Sequence, residues 1–310
     1  MSLDAAPTPH VTLAREVASA LADDGPVVAL ESTIISHGFP YPANVECALE
    51  TERVVREAGA TPATVAILGG RLTVGLSPDE IEHLASGGPD SIAKASRRDI
   101  AALVSRGADG ATTVAGTMLV AAMAGIGIFA TGGIGGAHRG AQDSFDVSAD
   151  LLELARTDIA VVCAGAKSIL DVGLTLEVLE THGVPVVGYR TDEFPAFYTR
   201  SSGFPVEERL DSVGQIAALL RTKRSLALSG GVVIANPIAE EHELDAHWIN
   251  GIIEKALVDA REANVRGNEI TPFLLASIHK QTAGQSEKAN KQLVYANARL
   301  AAQIAVELAK

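Results

Sequence analysis

A single lysine, Lys167, follows an apolar run in the segment DIAVVCAGAKSIL at residues 158–170. The run is typical of a buried β-strand, and Ser168 has the residue type of an N-cap for a following helix. The amine would then lie at the carboxyl end of a strand, where open α/β sheets bind their ligands. Burial and the positive end of a helix would both favour the neutral, nucleophilic amine. A lysine that extends from a strand end into solvent fits the same local pattern.

A carboxyl group occupies a similar place earlier in the chain. Glu31 closes the apolar strand pattern VVAL and opens the segment ESTIISHGFPYPAN. A carboxyl at the mouth of a buried strand is a candidate general acid. A cap or turn residue before the next helix would have the same sequence signature. His37, in the same segment, gives a weaker signal on its own.

Three aspartates follow a glycine-rich stretch in HRGAQDSFDVSAD, at positions 143, 146 and 150. Carboxylate oxygens are ligands that suit Mg²⁺ or Mn²⁺. Ser148 is predicted to cap the helix DLLELAR, whose first amides would then face an anion. Acidic residues at a helix start also serve simply as caps and dipole partners, so the spacing alone does not select a metal site.

Lys94, in AKASRRD, stands two residues before Ser96, the predicted cap of another helix. This position suits a lysine that binds phosphate, although a solvent-exposed lysine fits equally well. The run TGGIGG at 131–136 lacks the G-x-G-x-x-G pattern and the helix that should follow it. We therefore do not interpret it as a dinucleotide-binding loop.

Apolar strand patterns alternate with helical patterns along most of the chain. Capping signals at Ser77 and Ser96 mark helix starts, and the chain from Leu244 onward is predicted to be mostly helical. This order predicts an α/β fold with a largely parallel sheet flanked by helices and a helical C-terminal segment. The predicted strands are 27–31, 64–68, 111–114, 127–130, 158–164 and 184–189.

The stretch from Gly110 to His138 contains no charged side chain up to His138 and is long enough to span a bilayer. Its many glycines and the absence of basic or aromatic flanks argue against a transmembrane helix. We expect a buried strand, an apolar helix at 117–124 and a glycine-rich loop instead. No membrane partner is predicted.

The composition is that of a globular protein able to bury a large core. Of 310 residues, 47% are hydrophobic, and the formal net charge is −13, which opposes nucleic acid as a partner. Cys47 and Cys163 are the two cysteines and fall in helix and strand patterns, so we expect core packing in a reducing cytoplasm. Residues 1–310 are predicted to form a single catalytic α/β domain with a disordered tail at 1–10.

Longer segments resemble a known family. The chain is similar to the pseudouridine-5'-phosphate glycosidases, a group that includes indigoidine-cluster A proteins, from about Val27 to its carboxyl terminus. The segments that carry the resemblance are ALESTIISHGFPYPAN, KASRRD, GATTVAGTM, FATGGIGGAHRGAQDSFDVSADL, CAGAKSILD, VVGYRTDEFPAFYTRSSGFP, NPI and TPFLLASIHKQTAGQSEKANKQLVYANARLAAQIA.

The resemblance implies roles for individual residues. Lys167 corresponds to the family's nucleophile and Glu31 to its proton donor. Asp146 corresponds to the ligand of one divalent ion per subunit, typically Mn²⁺. The residues implied to contact substrate are Lys94, Val114, Ser148, Ala149 and Asp150, and those in matching pocket motifs are His138 and Asn290.

The resemblance also implies an activity and an assembly. We expect reversible cleavage of the carbon–carbon glycosidic bond of pseudouridine 5'-phosphate, giving uracil and ribose 5-phosphate through a lysine adduct and an imine, in a cytoplasmic homotrimer. Another Schiff-base lyase acting on a sugar phosphate would also use Lys167 and Lys94 but would need no pocket for a nucleobase. A nonenzymatic sugar-phosphate-binding accessory protein would use Lys167 for its charge alone.

Overall fold

The structure, a computed structural model, describes residues 10–263, 265 and 270–310; the predicted tail at 1–10 lies outside these residues except for His10. The strands are β1 (Val11–Leu13), β2 (Val27–Leu30), β3 (Thr61–Leu68), β4 (Arg71–Val74), β5 (Ala93–Ala95), β6 (Gly110–Thr112), β7 (Ile128–Ala130), β8 (Ala137–His138), β9 (Ala160–Cys163), β10 (Leu170–Asp171), β11 (Val186–Tyr189), β12 (Glu208–Leu210) and β13 (Val232–Ala235).

The helices include a long C-terminal set, as the sequence predicts. They are α1 (Arg15–Ala22), α2 (Ala43–Glu57), α3 (Pro78–Ser91), α4 (Arg97–Arg106), α5 (Val114–Met123), α6 (Ala141–Ser144), α7 (Ala149–Arg156), α8 (Val172–Thr181), α9 (Val213–Ser225), α10 (Ala246–Glu262), α11 (Ile270–Gln281) and α12 (Gln285–Leu308). A π-helical turn occupies Ile34–Gly38, and a 3₁₀ turn occupies Glu240–His242.

Eleven strands within the described residues form one sheet, with β5 and β6 attached beside β3. The main order is β1-β4-β3-β2-β7-β9-β13-β11-β12. The pairs β3–β4 and β3–β6 are antiparallel, and the other pairs in this sheet are parallel. The predicted α/β class with a largely parallel sheet is therefore confirmed. A separate antiparallel ribbon joins β8 to β10.

The central strands are buried on both faces, which explains their nearly continuous apolar sequences. In β2, for example, Val27 and Ala29 face one apolar cluster while Val28 and Leu30 face another. The second cluster also contains apolar residues of α12. This alternation follows from the two-residue period of a β-strand.

The strand register sets the position of the chemistry-bearing residues. Leu30 of β2 pairs with Ala130 of β7, which pairs in turn with Val162 of β9. The three strands are parallel and end at nearly the same level. The residues that follow them are therefore brought to one edge of the sheet.

Some local predictions need correction. Ser168 does not cap a helix: it lies in a turn, and β10 separates it from α8. The N-cap of α8 is Asp171, whose carboxylate accepts a hydrogen bond from the Leu174 N–H at 2.9 Å. The argument that a helix end activates Lys167 therefore loses its basis. The capping box at Ser77 is present as predicted, and at Ser96 the Asp99 carboxylate accepts the Ser96 N–H at 3.0 Å.

The uncharged stretch after Gly110 divides into β6, α5, β7 and a glycine-rich loop, close to the predicted elements. Among the described residues, no helix combines the length and apolar character needed to cross a bilayer. Both cysteines are buried and unbonded to each other, in α2 and β9.

Gly165 lies between β9 and Lys167, where the chain is closely packed. Its φ is +86°, and a Cβ there would lie 2.0 Å from the Pro195 carbonyl oxygen. Gly125 has a φ of +84°, but a Cβ added there would meet no other atom within 4 Å. We expect Gly125→Ala to lower the free energy of unfolding by about 1 kcal/mol through backbone strain. Gly165→Ala should cost a further ~1–3 kcal/mol through the clash.

Urea denaturation of both variants measures the difference. Equal losses in the two variants would show that the backbone around Pro195 moves freely enough to accept the added methyl group.

Candidate active site

A cavity opens where β2, β7 and β9 end, with about 540 Å³ of empty volume including its mouth. Polar and apolar side chains from distant parts of the chain meet there. Those that matter for the chemistry are Glu31, His37, Lys94, Lys167, Phe197 and Asn290. Four of the predicted site residues are thus brought together around one space, namely Glu31, Lys94, Lys167 and Asn290.

The Glu31 carboxyl is 9% exposed and follows β2 directly. Burial raises its pKa, whereas the charge of Lys167 and a hydrogen bond from the Thr131 hydroxyl lower it. The balance lies above the usual pKa of a glutamate. A carboxyl of this kind retains its proton to higher pH than an exposed one, as a general acid requires.

Hydrogen bonds hold the residues after Glu31 to β3 and β6. The Ser32 hydroxyl donates to the Val65 carbonyl at 2.6 Å and accepts from the Thr112 N–H at 2.8 Å. The Thr33 hydroxyl donates to the Thr112 carbonyl at 2.8 Å. The polar pair after Glu31 is buried, and its bonds to neighbouring strands fix the direction in which Glu31 leaves the sheet.

Lys167 is half-buried, four residues beyond the end of β9. Its backbone N–H donates to the Ile134 carbonyl in the glycine-rich loop at 3.0 Å. The loop and the segment after β9 also form an isolated bridge between Ile134 and Ala166. The backbone of Lys167 is therefore held against the glycine-rich loop.

Lys94 lies in β5, opposite Ala111 of β6. Burial lowers its pKa first and the charge of Lys167 second, while Asp150 and Glu31 act in the opposite direction. The two amines and the two carboxyls are thus close enough to influence one another. An anionic ligand beside Lys94 would offset the cost of burying its charge.

Asp150 occupies the junction between α5, α7 and the glycine-rich loop. Its carboxylate accepts the Ala115 N–H at 2.9 Å and the Gly135 N–H at 2.8 Å. A Cβ at Gly135 would lie 2.2 Å from the Ser148 hydroxyl oxygen, so only glycine permits this approach. Ser148 caps α7 as predicted, accepting from the Asp150 N–H at 3.2 Å.

Val114 and Ala149, two further residues that the resemblance implies in substrate binding, differ in exposure. The Val114 side chain is buried at the first position of α5, and Ala149 is exposed at the first position of α7. Val114 offers no side-chain functional group and would act through the peptide amides at the start of its helix.

The three aspartates do not gather around one point. Asp150 is buried against amides, whereas Asp143 is exposed on α6. Asp146 lies beside His138, with Oδ2 and Nδ1 4.0 Å apart. Burial lowers the pKa of His138, while Asp146 opposes this effect. Among the described residues, no group of three or more His, Cys, Asp or Glu side chains is arranged to enclose a metal ion.

Sequence reasoning missed the clamp that holds Thr131. The buried Asn297 amide donates to the Thr131 carbonyl at 2.8 Å and lies 3.3 Å from the Gly132 carbonyl. Asn297 accepts in turn from the Asn236 amide at 2.9 Å. Asn290 and Asn297 both lie in α12, seven residues apart, and this two-turn spacing of polar residues on one helix face is the signal that could have revealed the clamp.

The Thr131 hydroxyl can be tested by Thr131→Val, which keeps the side-chain shape. Because this hydroxyl donates to Glu31 and lowers its pKa, the variant should raise the pKa of Glu31 further. Carboxyl ¹³C titration measures the change. Thr64→Val is the matched control, because Thr64 donates to a different buried glutamate, Glu52, at 2.6 Å. It should shift Glu52 and leave Glu31 unchanged. An unaltered Glu31 titration in Thr131→Val would contradict this account.

The chain is similar over nearly its full length to proteins named pseudouridine-5'-phosphate glycosidase. The protein of that name from Hahella chejuensis is 59% identical over 296 residues, covering 96% of this chain and 97% of the relative. The one from Clostridium botulinum is 56% identical over 301 residues, covering 97% and 98%.

Two solved structures share the fold. The prealnumycin C-glycosynthase, whose crystal structure is a complex with ribulose 5-phosphate, is 40% identical with a TM-score of 0.90, and the alignment covers 98% of each chain. An indigoidine synthase A-like protein from Thermotoga maritima is 36% identical with a TM-score of 0.88, covering 97% of this chain and 98% of that one. The family model described as indigoidine synthase A like protein matches residues 16–307, so the chain belongs to that family.

Proposed function

We propose that this protein is a pseudouridine-5'-phosphate glycosidase, which reversibly converts pseudouridine 5'-phosphate and water into uracil and ribose 5-phosphate. The observation that carries the proposal is the meeting of Lys167 with the buried Glu31 carboxyl in one cavity. The names of the relatives at 52–59% identity supply the substrate.

The substrate's carbon–carbon bond explains the need for an amine. An ordinary glycosidase protonates the oxygen that leaves the sugar, and a pair of carboxyl groups is enough for that. In pseudouridine the base leaves from carbon, so the sugar carbon must first be attached to a group that can stabilise the break. A lysine nitrogen does this by forming an imine.

The first step opens the sugar. The neutral Lys167 amine attacks C1', the bond from C1' to the ring oxygen breaks, and Glu31 gives its proton to that oxygen. The positively charged nitrogen formed by the attack then loses a proton to the Glu31 carboxylate, which restores the acid. The substrate is now an open chain attached to Lys167 through a secondary amine.

The second step releases the base. Glu31 gives its proton to C5 of uracil, where the electrons of the C5–C6 double bond form the new bond to hydrogen and the positive charge is shared by C6 and N1. The nitrogen lone pair then forms a double bond to C1', the bond from C1' to C5 breaks, and its electron pair restores the C5–C6 double bond of the base. Water then adds to the imine and frees ribose 5-phosphate from Lys167. The proton that remains on the amine passes to Glu31, so both groups regain their starting states.

Lys94 is proposed to bind the substrate phosphate. Its side chain is half-buried and lies near Asp150 and the beginning of α5, where Val114 contributes the first helix amide. Ser148, Ala149 and Asp150 begin a second helix at the same junction. A phosphate placed between them would pair with the Lys94 ammonium and with the Val114 amide.

A divalent ion, typically Mn²⁺, is proposed at Asp146, with His138 beside it. One half-exposed carboxylate and a nearby imidazole fit an ion that keeps most of its water ligands and do not fit a closed protein cage. When bound, such an ion supplies positive charge that stabilises anionic oxygen.

A homotrimer in the cytoplasm remains our proposal for assembly and location. Phe145 supports a subunit contact, because its side chain is 87% exposed beside Asp146. Aromatic residues are enriched in subunit interfaces relative to the rest of a protein surface.

The main test combines uracil release with borohydride trapping of ribose 5-phosphate. Lys167→Ala and Lys167→Arg should lose both, since arginine keeps the charge but supplies no neutral amine. Glu31→Gln should slow uracil release by ~10² to 10⁴ yet still be trapped, because the open aldehyde needs no proton from Glu31. A trapped adduct without uracil release in the wild type would favour another Schiff-base lyase. Activity in Lys167→Arg would exclude the imine mechanism.

Lys94→Ala tests the phosphate assignment. The variant should lose roughly 10-fold to 100-fold in kcat/KM for pseudouridine 5'-phosphate, because a hydrogen bond to a charged group is lost. Unphosphorylated pseudouridine should be affected little. Lys288→Ala, at an exposed position of α12, is the control and should change neither substrate. Equal losses on both substrates would place Lys94 at the reacting carbon.

A further inference from the structure

One ring nitrogen of His37 has no hydrogen-bond partner among the described residues. Its Nε2 atom is buried and makes no hydrogen bond to any described residue, yet the side chain lines the same cavity as Glu31 and Lys167. Buried polar atoms in folded proteins nearly always have a partner, because an unpaired one loses its bonds to water without replacement. An atom of this kind that faces a substrate cavity is a candidate contact to the substrate.

The surroundings of the ring define what Nε2 can bind. The Ile92 carbonyl acts to raise the pKa of the ring, as an acceptor beside it would, and Nε2 has no hydrogen-bond partner among the described residues, so we assign the ring proton to Nδ1. Burial lowers the pKa of His37 first and the charge of Lys94 second, so the ring is neutral near pH 7. A neutral imidazole with its proton on Nδ1 presents Nε2 as an acceptor only.

A nitrogen that can only accept a hydrogen bond must meet a donor group on the substrate. It cannot hold a phosphate, whose oxygens are acceptors themselves at neutral pH. The wall near His37 includes Ile34, Phe197 and Leu275, and this apolar lining suits a flat ring. Asn290, whose Oδ1 would lie 3.2 Å from a Cβ at Gly132, adds an amide to the same cavity. An apolar wall with two polar groups is typical of a nucleobase pocket.

We propose that His37 Nε2 accepts a hydrogen bond from a ring N–H of the uracil base, which makes His37 a residue that determines base specificity. This inference rests on the proposed glycosidase function. Pseudouridine is joined to its sugar through C5, so both N1 and N3 carry hydrogen. Either N–H can meet Nε2, and methylation of the one that does would remove the bond and place a methyl group against the imidazole.

The experiment compares three substrates: pseudouridine 5'-phosphate and the 5'-phosphates of N1-methylpseudouridine and N3-methylpseudouridine. The wild type should discriminate against at least one methylated substrate by about 10-fold or more in kcat/KM. His37→Ala should lose roughly 10-fold to 100-fold on the unmodified substrate, and its discrimination against that methylated substrate should fall by a similar factor. His37→Gln, whose amide oxygen can accept, should recover part of the loss.

Trapping with ribose 5-phosphate separates this inference from the function on which it rests. The product contains no base, so His37→Ala should be trapped like the wild type. Failure of the wild type itself to release uracil and form the adduct would reject the glycosidase function. Loss of trapping in a folded His37→Ala variant would instead assign His37 to the sugar or the amine and overturn the inference. Unchanged discrimination against both methylated substrates would also overturn it.

The control is His83→Ala, which removes an exposed histidine that contacts Asp109 away from the cavity. It should leave discrimination and trapping unaltered. Thermal unfolding of each variant shows whether it is folded, and His37→Gln provides the comparison should the alanine variant unfold.

Discussion

Burial makes the charges of four side chains interdependent at the end of the sheet. Glu31 and Asp150 are carboxyls, and Lys94 and Lys167 are amines, so the group can be neutral overall with all four charged or with only two. Transfer of one proton from Lys167 to Glu31 would leave the neutral acid and the neutral amine that the proposed first step needs. Burial favours the acid form of Glu31, because it raises the pKa of that carboxyl.

The other two groups, Asp150 and Lys94, have different partners. Asp150 is the carboxyl that receives two backbone N–H groups, and Lys94 is the amine that it influences favourably. In the proposed mechanism one acid and one amine react, while the other acid positions the backbone and the other amine binds the phosphate. The difference comes from the partners each carboxyl receives, namely a hydroxyl for Glu31 and amides for Asp150.

Much of this arrangement could be predicted from the sequence, because the strands and the helix cap that position these residues have local sequence patterns. The apolar runs before Glu31 and Lys167 form β2 and β9, and the parallel class places their ends together. Ser148 caps α7 because a serine before a helix satisfies its own first amides. The same rule failed at Ser168, where a short strand pairs with β8 before the helix begins. That pairing joins residues far apart in sequence, and no local pattern encodes it.

The sequence could not predict how the aspartates are arranged or what Asn297 and His37 contact, because these features depend on residues far apart in the chain. The spacing of Asp143, Asp146 and Asp150 suggested a cluster, but Asp150 is occupied by amides from two other segments. No local pattern shows that Asn297 donates to the Thr131 carbonyl, or that His37 Nε2 has no partner among the described residues. The catalytic, metal and assembly roles stay predictions, as does the single-domain organisation.

The clamp between Asn297 and Thr131 joins residues 166 positions apart. A ribosome adding about 5–20 residues each second needs roughly 8–33 s to make that stretch. During this time the hydroxyl that meets Glu31 is present in the growing chain, but the amide that fixes its backbone has not yet been synthesised. The arrangement of acid and amine is therefore completed late in synthesis, so Lys167 acquires its full set of neighbours only when nearly all of the protein is available to fold around it.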